Sequence, residues 1–192
     1  MLKPGSWRAP GFVQTPEHPV VAVSQREAEQ FCEWLTQHER TSGRIGAADR
    51  YRLPTDAEWS VAAGLKADAH DPANAYPWHG DHPPAPNAGN YASGELHDDP
   101  LFAKLPIIAD RRDAHRYTAP VGSYTANPFG LHDMGGNVVE WLQTEREGPA
   151  SIRGAGWLDA APALLDSGHR FTLARSARSF VIGFRSVLER NP

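Results

Sequence analysis

From Gly64 to about Thr118 the chain holds no apolar period, and Gly, Pro, Asn, Asp and His dominate it. The same bias runs through the whole sequence, with 17 Gly and 17 Pro among 192 residues. An irregular stretch this long inside a compact domain needs either a function or an internal staple. Tyr76, Trp78, Tyr91, Phe102 and the run Leu105–Ile108 give it apolar groups to bury. It is therefore expected to pack as ordered loop and not to hang as a linker. No internal repeat and no second domain is visible.

The flanking segments supply the regular structure. Residues 1–23 are punctuated by Pro4, Pro10, Pro16 and Pro19, and read as an extended entry with residues 1–16 as an arm. Ser24 and Glu27 form an S-x-x-E capping box, and Ala28, Phe31, Cys32 and Leu35 make one apolar face, which predicts a helix from Ser24 to about Arg40. Thr55 and Glu58 repeat the box ahead of Trp59, Ala62 and Ala63, with Gly64 as the stop and Tyr51–Pro54 as an extended lead-in. Strands are predicted at Ser151–Trp157, Arg170–Ala174 and Val181–Leu188, and turns at Asn127–Gly130 and Met134–Asn137. The reading is one α+β domain over residues 1–192, with two short helices, short antiparallel strands and much irregular loop.

Charge and cysteine usage exclude several functions. A formal net charge of −4 gives no general attraction to nucleic acid or to an anionic membrane. Six Arg against three acids in residues 151–192 make only a modest basic surface. No run is long and apolar enough for a membrane helix, and the opening MLKPGSWRAP lacks a signal-peptide core, so a cytoplasmic location is expected. Cys32 is the only cysteine, which excludes an intrachain disulfide, and its place on the apolar helix face reads as a core thiol. Common nucleotide-binding, hydrolase, zinc-protease and EF-hand signatures are missing. His79 and His82, with Asp81 between them, are explained by the histidine content of their loop as well as by a metal.

One oxygen-donor group stands out. Asp133 and Glu140 lie seven apart around the Gly135-Gly136 turn. Their carboxylates and the turn carbonyls can wrap a Ca²⁺ ion, which takes 6–8 oxygen ligands. From the spacing alone, a surface turn with two solvated acids is the favoured reading.

Four blocks carry a resemblance to a known family. They are His18–Ser24, Tyr51–Trp59, Ala119–Trp141, and Ile152–Trp157 with Gly183–Arg185. Together they resemble the formylglycine-generating, sulfatase-modifying-factor family, a Ca²⁺-supported variant of the C-type lectin fold. The resemblance implies one calcium site at Asp133, the carbonyls of Gly136 and Val138, and Glu140. It implies another at Asn90, the carbonyl of Tyr91, Asp113 and the carbonyl of His115, stapling the ends of the irregular region.

Departures from that family decide the expected function. Active members hold copper between two cysteines five residues apart, and those positions are Asp159 and Leu164 here. Cu(I) prefers soft thiolates, so copper is not expected. The motif's serine is Gly156, and Gln25 and Val139 stand where members often carry Trp. The related ergothioneine-type sulfoxide synthases need an added helical domain for iron, for which this chain has no room. Only 17 residues precede His18, so Gly183–Leu188 is expected as an exposed edge, open to a partner chain or to residues 1–16.

The resulting expectation is a non-catalytic domain binding a protein or small ligand at its C-terminal surface, possibly of the retroelement-diversified kind. Trp157, Leu158, Asp159, Leu164, Asp166, His169, Phe171, Arg178 and Phe180 are the expected contacts. The alternatives are a formylglycine-generating oxidase acting on a sulfatase cysteine, and a structural or regulatory subunit completed in a homo- or hetero-oligomer.

Overall fold

A computed structural model describes residues 5–66, 75–144 and 147–191. Both capping boxes close. The Ser24 hydroxyl accepts the Glu27 N–H while Glu27 accepts the Ser24 N–H, and helix α1 runs Gln25–Thr41. Thr55 and Glu58 do the same for α2, Asp56–Ala62, which ends at left-handed Gly64.

The buried line of α1 is more polar than its sequence suggests: Gln25, Ala28, Cys32, Thr36 and Glu39. Phe31, expected inside, is 43% exposed and meets Trp34 and Phe184 on the outer flank. The reason is rotational. Thr36 accepts the Tyr51 N–H from strand β1, Arg50–Arg52, which turns the 28/32/36 line inward.

Four strands form the main sheet in the order β4-β3-β2-β5. β2 spans Val139–Trp141, β3 Ala150–Arg153, β4 Arg170–Leu173 and β5 Ile182–Gly183. The strands are not all antiparallel: β2 pairs in parallel with β5, Val139 opposite Ile182. β2 itself lies in the segment read as an ion-binding turn, and it is the buried centre of the sheet.

The predicted strand Val181–Leu188 divides in two. A Cβ at Gly183 would lie 2.5 Å from the Val20 carbonyl oxygen, so the chain passes there only as glycine. Beyond it, β6 (Val187–Glu189) pairs antiparallel with β1, Arg50 opposite Glu189. The edge expected to lie open is thus paired at both ends, with β2 and with β1.

Trp141 anchors the main core with Ala28, Cys32, Leu53, Ile152 and Ile182, and its indole N–H donates to the Val23 carbonyl at 3.0 Å. Gln25, fully buried, donates to the Leu142 carbonyl and accepts from Arg175. A polar pair therefore stands where the resemblance implies an indole.

The irregular region is ordered by a buried cation. Arg111 donates to the carbonyls of Pro84, Ala85, Pro86 and Gly89 and lies over the Tyr91 ring. One side chain thereby satisfies four carbonyls that no sheet ladder reaches. Aromatic packing does the rest, with Tyr76 stacked on Trp78 at 4.6 Å and Trp78 edge-on to Tyr91.

Candidate functional site

Asn137 ties the two expected cation sets together. It is left-handed, with φ 65°, a conformation Asn tolerates better than most residues. Its N–H donates to the Asn90 carbonyl at 2.7 Å, and its side chain bonds both the N–H and the carbonyl of Ala119. Asn90 donates to the Tyr117 carbonyl and to Asn137. Its remaining oxygen, Oδ1, is buried with no hydrogen-bond partner among the described residues.

Asp113 lies against the same turn. Its carboxylate accepts the N–H of Tyr91 at 3.0 Å, the hydroxyl of Ser93 at 2.9 Å and the N–H of His115. Burial pushes its carboxyl upward. The structure therefore brings Asp113 against Tyr91 and His115, beside Asn90 with its orphaned acceptor.

The other set differs. Asp133 is left-handed and its Oδ1 is also buried without a partner among the described residues, while burial raises its carboxyl. Gly136 is left-handed, and a Cβ there would meet the Asn90 carbonyl oxygen at 2.9 Å. Glu140, however, is already engaged. It accepts from Arg185 through both carboxylate oxygens and from the Trp59 indole N–H at 2.9 Å. Those four contacts match the roughly four lone-pair sites of a carboxylate, so this set as it stands does not fit a cation. Val138 and Glu140 lie on and beside β2, inside the protein and not on a surface turn.

The expected ligand surface separates into interior and rim. Trp157 is 1% exposed and sits at the centre of a ring cluster with Phe102, Tyr117 and Phe180, so it belongs to the core. Asp166 is buried too. It accepts the Gly168 N–H at 2.6 Å, and its carbonyl accepts from His169, which makes it a turn residue closing the short helix α3, Pro162–Leu165. Leu158, Asp159, Leu164, His169 and Phe180 are partly accessible; Phe171 and Arg178 are exposed, Arg178 in a pair with Glu27 on α1.

Asp159 accepts the Gly156 N–H at 2.8 Å, and its carbonyl takes the Ala92 N–H. Burial pushes its carboxyl up, and the nearby His169 opposes that. The His169 Nε2 is buried without a partner among the described residues, and its ring meets Phe171 edge-on at 4.2 Å. No thiol is near. Cys32 lies in the α1 core, where burial pushes it up to about 11. A carboxylate and an alkyl group at Asp159 and Leu164 do not fit copper.

Arginines that tie the main sheet to α2 are not singled out by the sequence. Arg153, fully buried, donates to the Asp56 carboxylate, the Ser60 hydroxyl and the Ser167 carbonyl, with its guanidinium 4.3 Å over the Trp59 ring. Arg170 takes the same Asp56. The two fasten β3 and β4 to α2. Arg153 stands inside the Arg-Gly-Ala-Gly-Trp motif, which was the one sequence signal for it.

A largely irregular α+β domain, its loops closed by oxygen donors and buried arginines, is the class this architecture defines. Residues 2–190 match the sulfatase-modifying factor enzyme 1-like domain, and the chain belongs to that family. It is 30% identical over 167 residues to the "Inactive C-alpha-formylglycine-generating enzyme 2" of Bos taurus, covering 81% of this chain and 45% of that protein. It is 32% identical over 144 residues to the formylglycine-generating enzyme of Thermomonospora curvata, covering 72% of this chain and 39% of that one. The chain thus spans less than half the length of these curated relatives. Among solved structures, PvdO from Pseudomonas aeruginosa superposes with a TM-score of 0.66 at 26% identity, over 92% of this chain and 64% of that one. Treponema denticola variable protein 1 shares the fold at 20% identity, with a TM-score of 0.61 over 94% of this chain and 74% of that one.

Proposed function

We propose that this chain is a non-catalytic binding domain on the formylglycine-generating scaffold, in a C-type-lectin-like arrangement, with its ligand at the surface around Asp159 and Leu164. One observation carries the reading. The two positions that would hold copper are Asp159, spent on the Gly156 N–H, and Leu164, while the single thiol is buried in α1. Similarity to relatives named as inactive agrees with it. Leu158, His169, Phe171 and Phe180 offer partly or fully accessible apolar and ring side chains on this part of the chain.

Calcium has a place in this proposal at Asn90, Asp113 and the carbonyls of Tyr91 and His115. The orphaned Asn90 Oδ1 beside a buried carboxylate is the observation that fits it. The ion would supply a charge-neutralising crosslink between the turn at residues 90–91 and the turn at residues 113–115. The test of the non-catalytic reading is copper loading of the purified chain with a sulfatase-type cysteine peptide and oxygen. No aldehyde product is expected, and multiple turnovers would overturn it.

A further inference from the structure

A cavity of about 230 Å³ lies beside the Met134–Asn137 turn, with walls drawn from residues 77–79, 85–88 and 125–135. Each stretch is fixed by bonds of its own. The Asn127 side chain donates to the Ala62 carbonyl at 2.7 Å and accepts the N–H groups of Phe129 and Leu131. Asn87 donates to the Thr125 hydroxyl at 2.8 Å, and its carbonyl accepts the Thr125 N–H. The Trp78 indole N–H donates to the Asp81 carbonyl at 3.0 Å. Gly135 lies so close to Pro77 that a Cβ there would meet its Cγ at 2.3 Å. The cavity is therefore preformed.

Those bonds engage most of the polar side chains in the wall, while Trp78, Pro128, Leu131 and Met134 give it apolar surface. Asp133 differs. Among the described residues of the wall it is the one carboxylate, and its Oδ1 is buried with no hydrogen-bond partner among them. Its charge is also left over locally. Arg185 spends its shortest bonds on both oxygens of Glu140 and reaches Asp133 at the main-chain carbonyl, 3.2 Å away. Two acids therefore share one guanidinium, a balance of −1 that favours a cation.

The wall also selects the kind of cation. Calcium takes 6–8 oxygen ligands, and Glu140 is committed to Arg185. An ammonium head needs few acceptors, forms a charge-assisted bond to a carboxylate, and carries a tail that apolar walls can bury. The volume lies below the roughly 300–1,000 Å³ of sites for drug-sized molecules, so the ligand is small.

We propose that this cavity binds a small organic cation, a protonated alkylamine whose ammonium donates to Asp133 Oδ1 and whose chain lies against Trp78 and Met134. The cavity shares no residue with the surface around Asp159 and Leu164, so it stands or falls apart from the binding reading given there.

The test titrates the full chain with n-butylammonium chloride, followed by amide chemical shifts. Saturable shifts are expected at Ala88 and Gly135. The neutral analogue n-butanol is expected to bind at least tenfold more weakly, and so is n-butylammonium to Asp133→Asn, which keeps the shape and removes the charge. Saturating calcium is expected to leave the affinity within about twofold, since a metal would draw on other ligands. Absence of saturable shifts overturns the proposal, as does equal binding by n-butanol or by Asp133→Asn. Competition by calcium overturns it too, because Asp133 would then be a metal ligand. Should Asp133→Asn not fold, Ala126→Leu carries the test: it fills the cavity with Asp133 intact, and is expected to weaken binding at least tenfold. Undiminished binding there overturns the proposal.

Discussion

Arg185 grips Glu140 end-on, one guanidinium nitrogen 2.6 Å from Oε1 and the other 2.7 Å from Oε2. Glu140 is 4% exposed and also holds the Trp59 indole, so the pair joins the last part of the chain to β2 and α2. Removing one member leaves the other charge buried and unpaired, which is the costly way to break such a pair. Arg185→Ala is expected to lower stability by about 3 kcal/mol, toward the low end of the range for buried pairs because the arginine is partly accessible. The double change Arg185→Met with Glu140→Gln is expected to cost less than the single one. Urea unfolding of the three proteins measures both, and a single change under about 1 kcal/mol would mean that the pair behaves as a surface one.

Acid sensitivity follows from the capping residues. The hydrogen bond from Arg52 holds the Glu58 carboxyl down at about 2, below its ordinary 4.5, and Arg178 does the same for Glu27. A depressed folded-state value contributes stability that is present above the ordinary value and lost as pH falls toward the folded one. Stability is therefore expected to decline between about pH 4.5 and about pH 2. Glu58→Gln should flatten part of that decline while lowering stability at neutral pH. Both carboxylates are more than a third exposed, so salt should weaken the effect. An unchanged acid slope in the variant would place the sensitivity elsewhere.

Calcium at the Asn90–Asp113 turn is read by thermal melting. An ion at about 100 times its dissociation constant stabilises by about 2.7 kcal/mol, which for a chain of this size is roughly 5–10 °C in Tm. Chelator-stripped protein is expected to gain that shift on adding calcium. Asn90→Ala should lose most of it, and Asp133→Ala should keep it, since Glu140 of that second set is committed to Arg185. A response that disappears with Asp133→Ala instead would reverse the assignment.

The thiol offers a direct check of the interior. Burial holds Cys32 at about 11, so the reactive thiolate is scarce at neutral pH. Iodoacetamide is expected to label it at least a hundredfold more slowly in the native protein than in urea. Fast native labelling would mean that the α1 core opens.

Features set by neighbours in sequence were the legible ones. Ser24 with Glu27, and Thr55 with Glu58, define their caps within four residues, and both helices start where they predict. Strand β2 was hidden because Val139–Trp141 is buried on all sides and shows no alternation, while the Gly-rich turn before it carries the stronger local signal. The side of α1 on which Phe31 sits depends on where β1 packs, which no α1 residue specifies. Asn90 and Asp113 came from family resemblance alone, since nothing local links positions 23 apart. The partners of Arg111, Arg153 and Arg185 are unreadable for the same reason: they lie wherever the fold brings carbonyls and carboxylates. Trp157, an expected surface contact, is enclosed by rings from Phe12, Phe102, Tyr117 and Phe180, which come from four distant parts of the chain that no local signal links.

Arg111 puts this distinction to experiment. Its guanidinium replaces a sheet ladder for residues 84–89, with bonds of 2.6 Å to Ala85 and Gly89 and 3.0 Å to Pro84. Only a planar fork with several donors reaches carbonyls on that many residues at once, so lysine cannot reproduce it. Both Arg111→Lys and Arg111→Met are expected to lose about 3 kcal/mol or more, because several buried carbonyls lose their donors together. The effect should be local before it is global. Hydrogen exchange should quicken at Ala88 and Ile108, whose amides bond to Ala85 and Ala92, while the Trp141 core keeps its protection. If lysine restores the unsubstituted exchange pattern, a single positive charge suffices and the four-carbonyl geometry is incidental. If neither variant changes exchange in residues 84–108, the irregular region is held by its aromatic packing alone.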